Sequence, residues 1–205
     1  MSRVLYSDKF DDENNLAARI VREVLGNSNF SIHIHSDIPL ARGLGSSAAL
    51  AIAAACAAGA RDPLAIGTKV DGHAENAAAS LLGGLVAAGM TPEGEIIARG
   101  LPLDPMWQFV VVIPEMELAT SDARQVLPLN VSHHDAVLNI NSLGLLLPGL
   151  ANHELFVPSS MDDYLHQPFR MPLLPFAKSL LEQLRNSGAA GSCWSGAGST
   201  MLGIV

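Results

Sequence analysis

One run of residues limits what this chain can fold into more than any other: Pro39, Leu40, Ala41, Arg42, Gly43, Leu44, Gly45, Ser46, Ser47, Ala48 and Ala49. Ahead of it, Phe30 to His35 alternates, with Phe30, Ile32 and Ile34 on one face and Ser31, His33 and His35 on the other, the pattern of a half-buried strand. Behind it, an Ala-rich apolar segment predicts a helix from about Ser47 to Ala58, closed by Gly59. Strand, glycine loop and helix together make an anion site. Gly43 and Gly45 let backbone amides approach phosphate oxygens, and the helix N-terminus adds unpaired N–H groups and a favourable dipole. Ser46 and Ser47 add hydroxyls that suit a phosphate or Mg²⁺.

Two familiar phosphate motifs fail on this run. A Walker A loop needs Gly-Lys-Ser/Thr, which is absent. A dinucleotide fingerprint matches Gly43-x-Gly45-x-x-Ala48 in spacing, but it needs a strand running straight into the first glycine. Here Ser36 to Arg42 intervene, Pro39 among them, and Asp62 precedes a proline instead of ending a second strand. A plain Gly-Ser turn before an Ala-rich helix is the remaining structural alternative.

The rest of the chain supplies material for a packed α+β molecule. Of 205 residues, 49% are hydrophobic and 16% charged, enough apolar surface for a core. A net charge of -8 with scattered Lys and Arg argues against nucleic-acid binding, which needs clustered cations. Periodicity predicts a helix over Asn14 to Leu25, favoured at its start by Asp11 and Asp12 and stopped by Gly26. A helical region follows from Asp62 to Leu82, with a polar patch at Asp71 to Asn76. Leu85 to Ala88 and Glu95 to Arg99 form a hairpin around Thr91-Pro92-Glu93-Gly94, and Phe109 to Ile113 reads as a buried strand. Further helices are expected at Ser121 to Leu127, after Ser132, and from Pro172 to Asn186. Ser132 with Asp135 makes a variant capping box, so His133 and His134 are first-turn residues and not a metal pair. His33 and His35 read as a solvated strand face. Gly188 to Val205 gives strand, glycine turn and strand. Cys56 and Cys193 read as small buried hydrophobes, with no disulfide framework.

The full string from Pro39 to Ala49 resembles the signature loop of the GHMP kinases, and four more segments in the same order extend the likeness over nearly the whole chain. Asp71-Gly72-His73-Ala74-Glu75-Asn76, continuing to Leu82-Gly83-Gly84, resembles Glu-Gly-His-Pro-Asp-Asn followed by Leu-Gly-Gly. Thr120 to Pro128 resembles Thr-x-x-Ala-Arg-x-x-Leu-Pro, and Leu165-His166-Gln167-Pro168-Phe169-Arg170 resembles Leu-His-Gln-Pro-Tyr-Arg. Ser195-Gly196-Ala197-Gly198-Ser199-Thr200 resembles Ser-Gly-Ala-Gly-Pro-Thr. The last three favour the homoserine kinases within that superfamily.

The resemblance implies a GHMP kinase fold. A ribosomal-S5-like, ATP-binding N-terminal domain would cover residues 1–114, and a ferredoxin-like C-terminal domain residues 115–205. It implies ATP held by Pro39 to Ala49, Mg²⁺ held by Ser46 and Asp71, and L-homoserine held by His73, Glu75, Asn76, Arg124 and Arg170. Asn76 and Arg124 take the catalytic positions, with Asn76 at the acceptor hydroxyl. Asp71 stands where the family has Glu, Glu75 where it has Asp, and Ser199 where it has Pro. The implied reaction is phosphorylation of the homoserine hydroxyl on the route to threonine. The alternatives are a GHMP kinase for another small alcohol and a non-catalytic nucleotide-binding remnant.

The family's opening strand, Pro-Ala-Thr-Ser-Ala-Asn-Leu-Gly-Pro-Gly-Phe-Asp, has no counterpart here, and Val205 stops inside an apparent strand. The expectation is a chain truncated at both ends, lacking the first strands of one domain and the end of the other. The polar start from Met1 to Asp12 lacks a signal-peptide core, and no run is apolar enough to span a bilayer. A cytoplasmic location is expected, with neither membrane nor nucleic acid as partner and a homodimer left open.

Overall fold

The computed structural model describes residues 4–5 and 15–205, so Asp11 and Asp12 lie outside the described residues. The chain forms two compact units, Met1–Pro39 with Gly45–Leu101, and Leu40–Leu44 with Pro102–Val205. The division falls ahead of Pro114. Helices and antiparallel sheets occur in both units, as an α+β reading expects.

The first unit is built around α2 (Ser46–Ala57). Its alanines leave little side chain between helices, so α1 (Leu16–Leu25), α3 (Pro63–Asp71) and α4 (Glu75–Leu82) all pack against it. Ala17, Ile20 and Val21 of α1 meet Ala51, Ala54 and Ala55 on one side, and Ala48 and Ile52 meet Ala77 on the other. A Cβ on Gly67 of α3 would lie 2.8 Å from Ile52 Cδ1 and 2.9 Å from Ala77 Cβ, so glycine is what lets these helices approach. The ends of the helices follow local chemistry. Asn15 caps α1 by accepting from the Ala18 amide, and left-handed Gly26 ends it. The helical region expected from Asp62 to Leu82 consists of two helices that part within its polar patch, because Gly72 adopts a left-handed φ of 76° and closes α3.

The segment Phe30 to His35 keeps its alternating burial, with Phe30, Ile32 and Ile34 on the core. Among the described residues its ladder bonds fall at β2 (His35–Ser36), which pairs with β1 (Val4–Leu5). A strand needs a hydrogen-bonding neighbour along its length, and sequence alternation does not supply one. β3 (Leu85–Met90) and β4 (Ile96–Leu101) form the expected hairpin.

In the second unit β7 (Met201–Ile204) lies between β5 (Phe109–Val112) and β6 (Gly191–Trp194), all antiparallel. The helices are α5 (Thr120–Gln125), α6 (His133–Ala151), α7 (Gln167–Arg170) and α8 (Ala177–Asn186). The core gathers Leu118, Ala123, Leu174, Ala177, Leu181, Trp194 and Met201. Three expectations need correction. Phe109 to Val111 form a strand, but it is an exposed edge; an apolar run does not specify a covering layer. Pro172 sits in a 3-10 turn at Met171–Leu173, and the helix proper begins at Ala177. Cys56 is exposed, while Cys193 is half-buried and its thiol is pushed up to about 11 by burial and by Asp163. No helix among the described residues is long and apolar enough to cross a membrane.

Candidate active site

The glycine loop is divided between the units, with Leu40–Leu44 in the second and Gly45 onward in the first. In the first unit Gly45, at φ 67°, is the N-cap of α2 and carries no side chain to occupy the helix end. The amides that open α2 therefore have no side-chain cap, which suits them to an anion. Pro39 and Ser46 are half-buried and Ser47 is exposed, whereas Ala48 is fully buried in the core with Ile52 and Ala77. Ala49 is half-buried in the helix.

Asn76 stands beside this helix end. A Cβ on Gly45 would lie 3.7 Å from Asn76 Cγ, ordinary contact distance. Asn76 Nδ2 in turn donates to Asp71 Oδ2 at 3.4 Å. The break at Gly72 makes this possible, since it ends α3 at Asp71 and lets α4 start again at Glu75. In that break His73 Nδ1 lies 2.7 Å from Glu75 Oε2. The structure thus gathers Gly45, Asp71 and Asn76, with His73 and Glu75 as a separate bonded pair alongside.

In the second unit the loop residues are braced by backbone. Leu40 is 53% exposed, Leu44 is half-buried, and Ala41 takes a left-handed φ of 52° with its carbonyl accepting from the Leu118 amide. Arg42 Nη2 donates to the Glu115 carbonyl at 2.6 Å. Its Nη1 lies 3.2 Å from Glu117 Oε1, at charge-pair distance but outside hydrogen-bond geometry. That guanidinium is committed within its own unit. Gly43 is held against the second glycine turn. Its carbonyl accepts from Ser195 Oγ at 2.7 Å, and a Cβ there would lie 2.2 Å from the Ser195 carbonyl oxygen. Gly43 is therefore required for close backbone approach, a reason distinct from room for a phosphate. Ser199, where the family has Pro, is fully buried and donates its hydroxyl to the Met116 carbonyl.

The two arginines singled out by motif meet different fates. Arg124 on α5 is exposed, and its guanidinium makes no hydrogen bond or ion pair among the described residues. Arg170 closes α7 and is half-buried. Its Nε donates to the Ala123 carbonyl at 3.1 Å and its Nη1 to the Gly196 carbonyl at 3.0 Å. Burial lowers the Arg170 pKa, the carboxylate of Asp163 opposes that, and the like charge of Arg124 adds to the lowering. Arg170 holds the carbonyl just ahead of Arg124 in the chain, and the Arg124 guanidinium, without a partner among the described residues, suits a carboxylate ligand.

Comparison with known proteins extends this correspondence. Residues 14–84 match the family described as GHMP kinases N terminal domain. The homoserine kinase of Carboxydothermus hydrogenoformans is 36% identical over 209 residues, covering 95% of this chain and 68% of the relative. That of Moorella thermoacetica is also 36% identical, covering 93% of this chain and 69% of the relative. The chain belongs to the homoserine kinase family. It spans about two thirds of the length of these relatives. Among solved structures, the homoserine kinase of Cytophaga hutchinsonii matches with a TM-score of 0.77 at 25% identity, covering 94% of this chain and 67% of that one. A putative homoserine kinase from Listeria monocytogenes matches with a TM-score of 0.69 at 25% identity, covering 95% and 68%.

Within this homoserine kinase architecture, Asp163 lies outside the motifs, and Gln167 lies inside one without an assigned role. Asp163 accepts from the amides of Leu165, His166 and Gln167 at 2.8, 3.0 and 2.7 Å. Gln167 Oε1 accepts from the Trp194 amide at 3.0 Å.

Proposed function

We propose that this chain transfers the γ-phosphoryl group of ATP to the side-chain hydroxyl of L-homoserine, giving O-phospho-L-homoserine and ADP. The observation that carries the reading is the cluster at the start of α2. The Asn76 carboxamide lies beside Gly45 at an uncapped helix N-terminus and donates to the Asp71 carboxylate. The opening amides of α2 and the hydroxyls of Ser46 and Ser47 receive the phosphates, and loop residues Pro39 to Ala49 form the nucleotide cradle. Asp71 and Ser46 offer oxygen donors only, a set that fits Mg²⁺, which takes few protein carboxylates and shares the substrate's phosphates. Mg²⁺ when bound neutralises charge on the phosphate oxygens.

In the reaction the homoserine hydroxyl oxygen forms a bond to the γ-phosphorus. The bond from that phosphorus to the β–γ bridging oxygen breaks, ADP keeps the electron pair, and the hydroxyl proton passes to water. Asn76 orients the hydroxyl, while His73 and Glu75 meet the polar end of the amino acid. Arg124 and Arg170 face its carboxylate. Nothing in this set is an evident general base, so the rate rests on alignment and electrostatic stabilisation. The reading carries with it a place before threonine, a cytoplasmic location and a homodimer, the last checked by sedimentation equilibrium.

A coupled ADP-release assay with homoserine, mevalonate and galactose tests the acceptor. Release dependent on homoserine alone supports the proposal. Release with another alcohol would reassign the substrate, and nucleotide binding without turnover of any alcohol would make the chain a remnant.

A further inference from the structure

Asp163 lies outside every motif that points to ATP or homoserine, yet the substrate arginine is built on it. Its side chain is 21% exposed, and one carboxylate oxygen accepts from the amides of Leu165 and His166 while the other accepts from that of Gln167. His166 Nδ1 lies 3.4 Å from Oδ1. His166 is the N-cap of α7 but makes no side-chain capping bond; Asp163 instead takes the amide of Gln167, the first helical residue, and orders the approach to the helix through those of Leu165 and His166. The helix it caps has only four residues, too short to hold its shape alone. Three further bonds leave this short helix and fix what surrounds it. Gln167 Oε1 holds the Trp194 amide at the end of β6, Arg170 Nε holds the Ala123 carbonyl next to Arg124, and Arg170 Nη1 holds the Gly196 carbonyl. The glycine turn then continues to the loop, through Ser195 Oγ to the Gly43 carbonyl and the Thr200 amide to the Arg42 carbonyl.

We propose that Asp163 is a positioning residue for substrate binding: by capping α7 it sets Arg170 against the α5 backbone beside Arg124, so that the pair is held ready for a carboxylate. This rests on the reading of Arg124 and Arg170 as substrate residues. The geometry separates charge from shape. Asparagine at position 163 has one acceptor oxygen in place of two and no negative charge to offset Arg170, at nearly the same volume. Loss of one of the three amide bonds frees α7 to fray, and Arg170 drifts before anything in the core does.

The test uses Asp163→Asn in the full chain. KM for homoserine is expected to rise about tenfold or more, the scale of a lost charge-assisted hydrogen bond, with KM for ATP and kcat each within about threefold. A rise of both KM values together, or of neither, would overturn the proposal. A second readout does not depend on turnover. The Arg170 Nε–H resonance, assigned by its loss in Arg170→Lys, is protected from exchange in the wild type by the Ala123 carbonyl. Asp163→Asn should lower that protection about tenfold, and unchanged protection would sink the idea even if the chain proved inactive. Should Asp163→Asn fail to fold, Asp163→Ser takes its place, since it leaves one hydroxyl acceptor for the three amides and no charge. Arg170 protection is again expected to fall, and full protection in that variant also counts against the proposal. Absence of homoserine turnover in the wild type would refute the substrate reading and leave the exchange result to decide this one.

Discussion

At position 43 a methyl group has nowhere to go. Gly43 sits at φ 73°, and an added Cβ would lie 2.2 Å from the Ser195 carbonyl oxygen and 2.7 Å from that of Gly198. Both are backbone atoms of the facing turn, so no side-chain rotation relieves the clash. Gly43→Ala is expected to cost about 2 kcal/mol or more, from the left-handed backbone and the overpacking together, as read by urea denaturation. Arg124 is the opposite case, exposed and unpartnered among the described residues. Arg124→Ala should leave stability within about 0.5 kcal/mol while raising KM for homoserine about 10- to 100-fold, a split that steady-state kinetics with thermal denaturation will expose. Arg170 resembles Arg124 in its motif but not in its surroundings. The sequence pattern marks both arginines; it does not reveal that two donors of Arg170 are spent on the Ala123 and Gly196 carbonyls.

Among the elements, those defined by their own caps were legible in the sequence, and those defined by distant partners were not. Ser132 accepts from the Asp135 amide and donates to the Asp135 carboxylate, which is the capping pattern the sequence predicts for α6. Gly26 likewise ends α1 where expected. The polar patch at Asp71 to Asn76 signals an interruption, but it takes the left-handed Gly72 to turn that interruption into a helix end. The exposure of β5 was missed: whether an apolar strand is covered depends on a neighbouring layer that its own residues do not encode. Another unsignalled contact joins the β4–β5 connection to the end of α6. Asp104 accepts from the His153 amide at 2.8 Å and lies 2.7 Å from His153 Nδ1. Its carboxyl is lowered from 3.8 to about 2, first by the His153 amide, then by the Met106 amide and the His153 ring. A carboxyl depressed on folding adds stability above its unfolded value and loses it as pH falls towards the folded one. The clasp should therefore hold at neutral pH and fail between 3.8 and about 2. Asp104→Asn should flatten this acid limb in denaturation midpoints measured against pH, and an unchanged limb would exclude the clasp.

For the whole molecule, the α+β class, the glycine loop and the family were all readable from five ordered segments, because each carries glycines or charged residues whose geometry few folds require together. What the sequence left unspoken is how the site residues are supported: Asn76 by Gly45 and Asp71, Gly43 by Ser195, and Arg170 by Asp163 through α7. The central claim is that these residues serve transfer to a hydroxyl on an amino acid. The most direct measurement is ³¹P NMR of the chain incubated with Mg²⁺, ATP and L-homoserine. The account predicts a new phosphomonoester signal growing in step with ADP, coupled to the methylene protons of the homoserine side chain and absent when homoserine is omitted. A spectrum in which ATP persists, or decays only to ADP and inorganic phosphate, would contradict it.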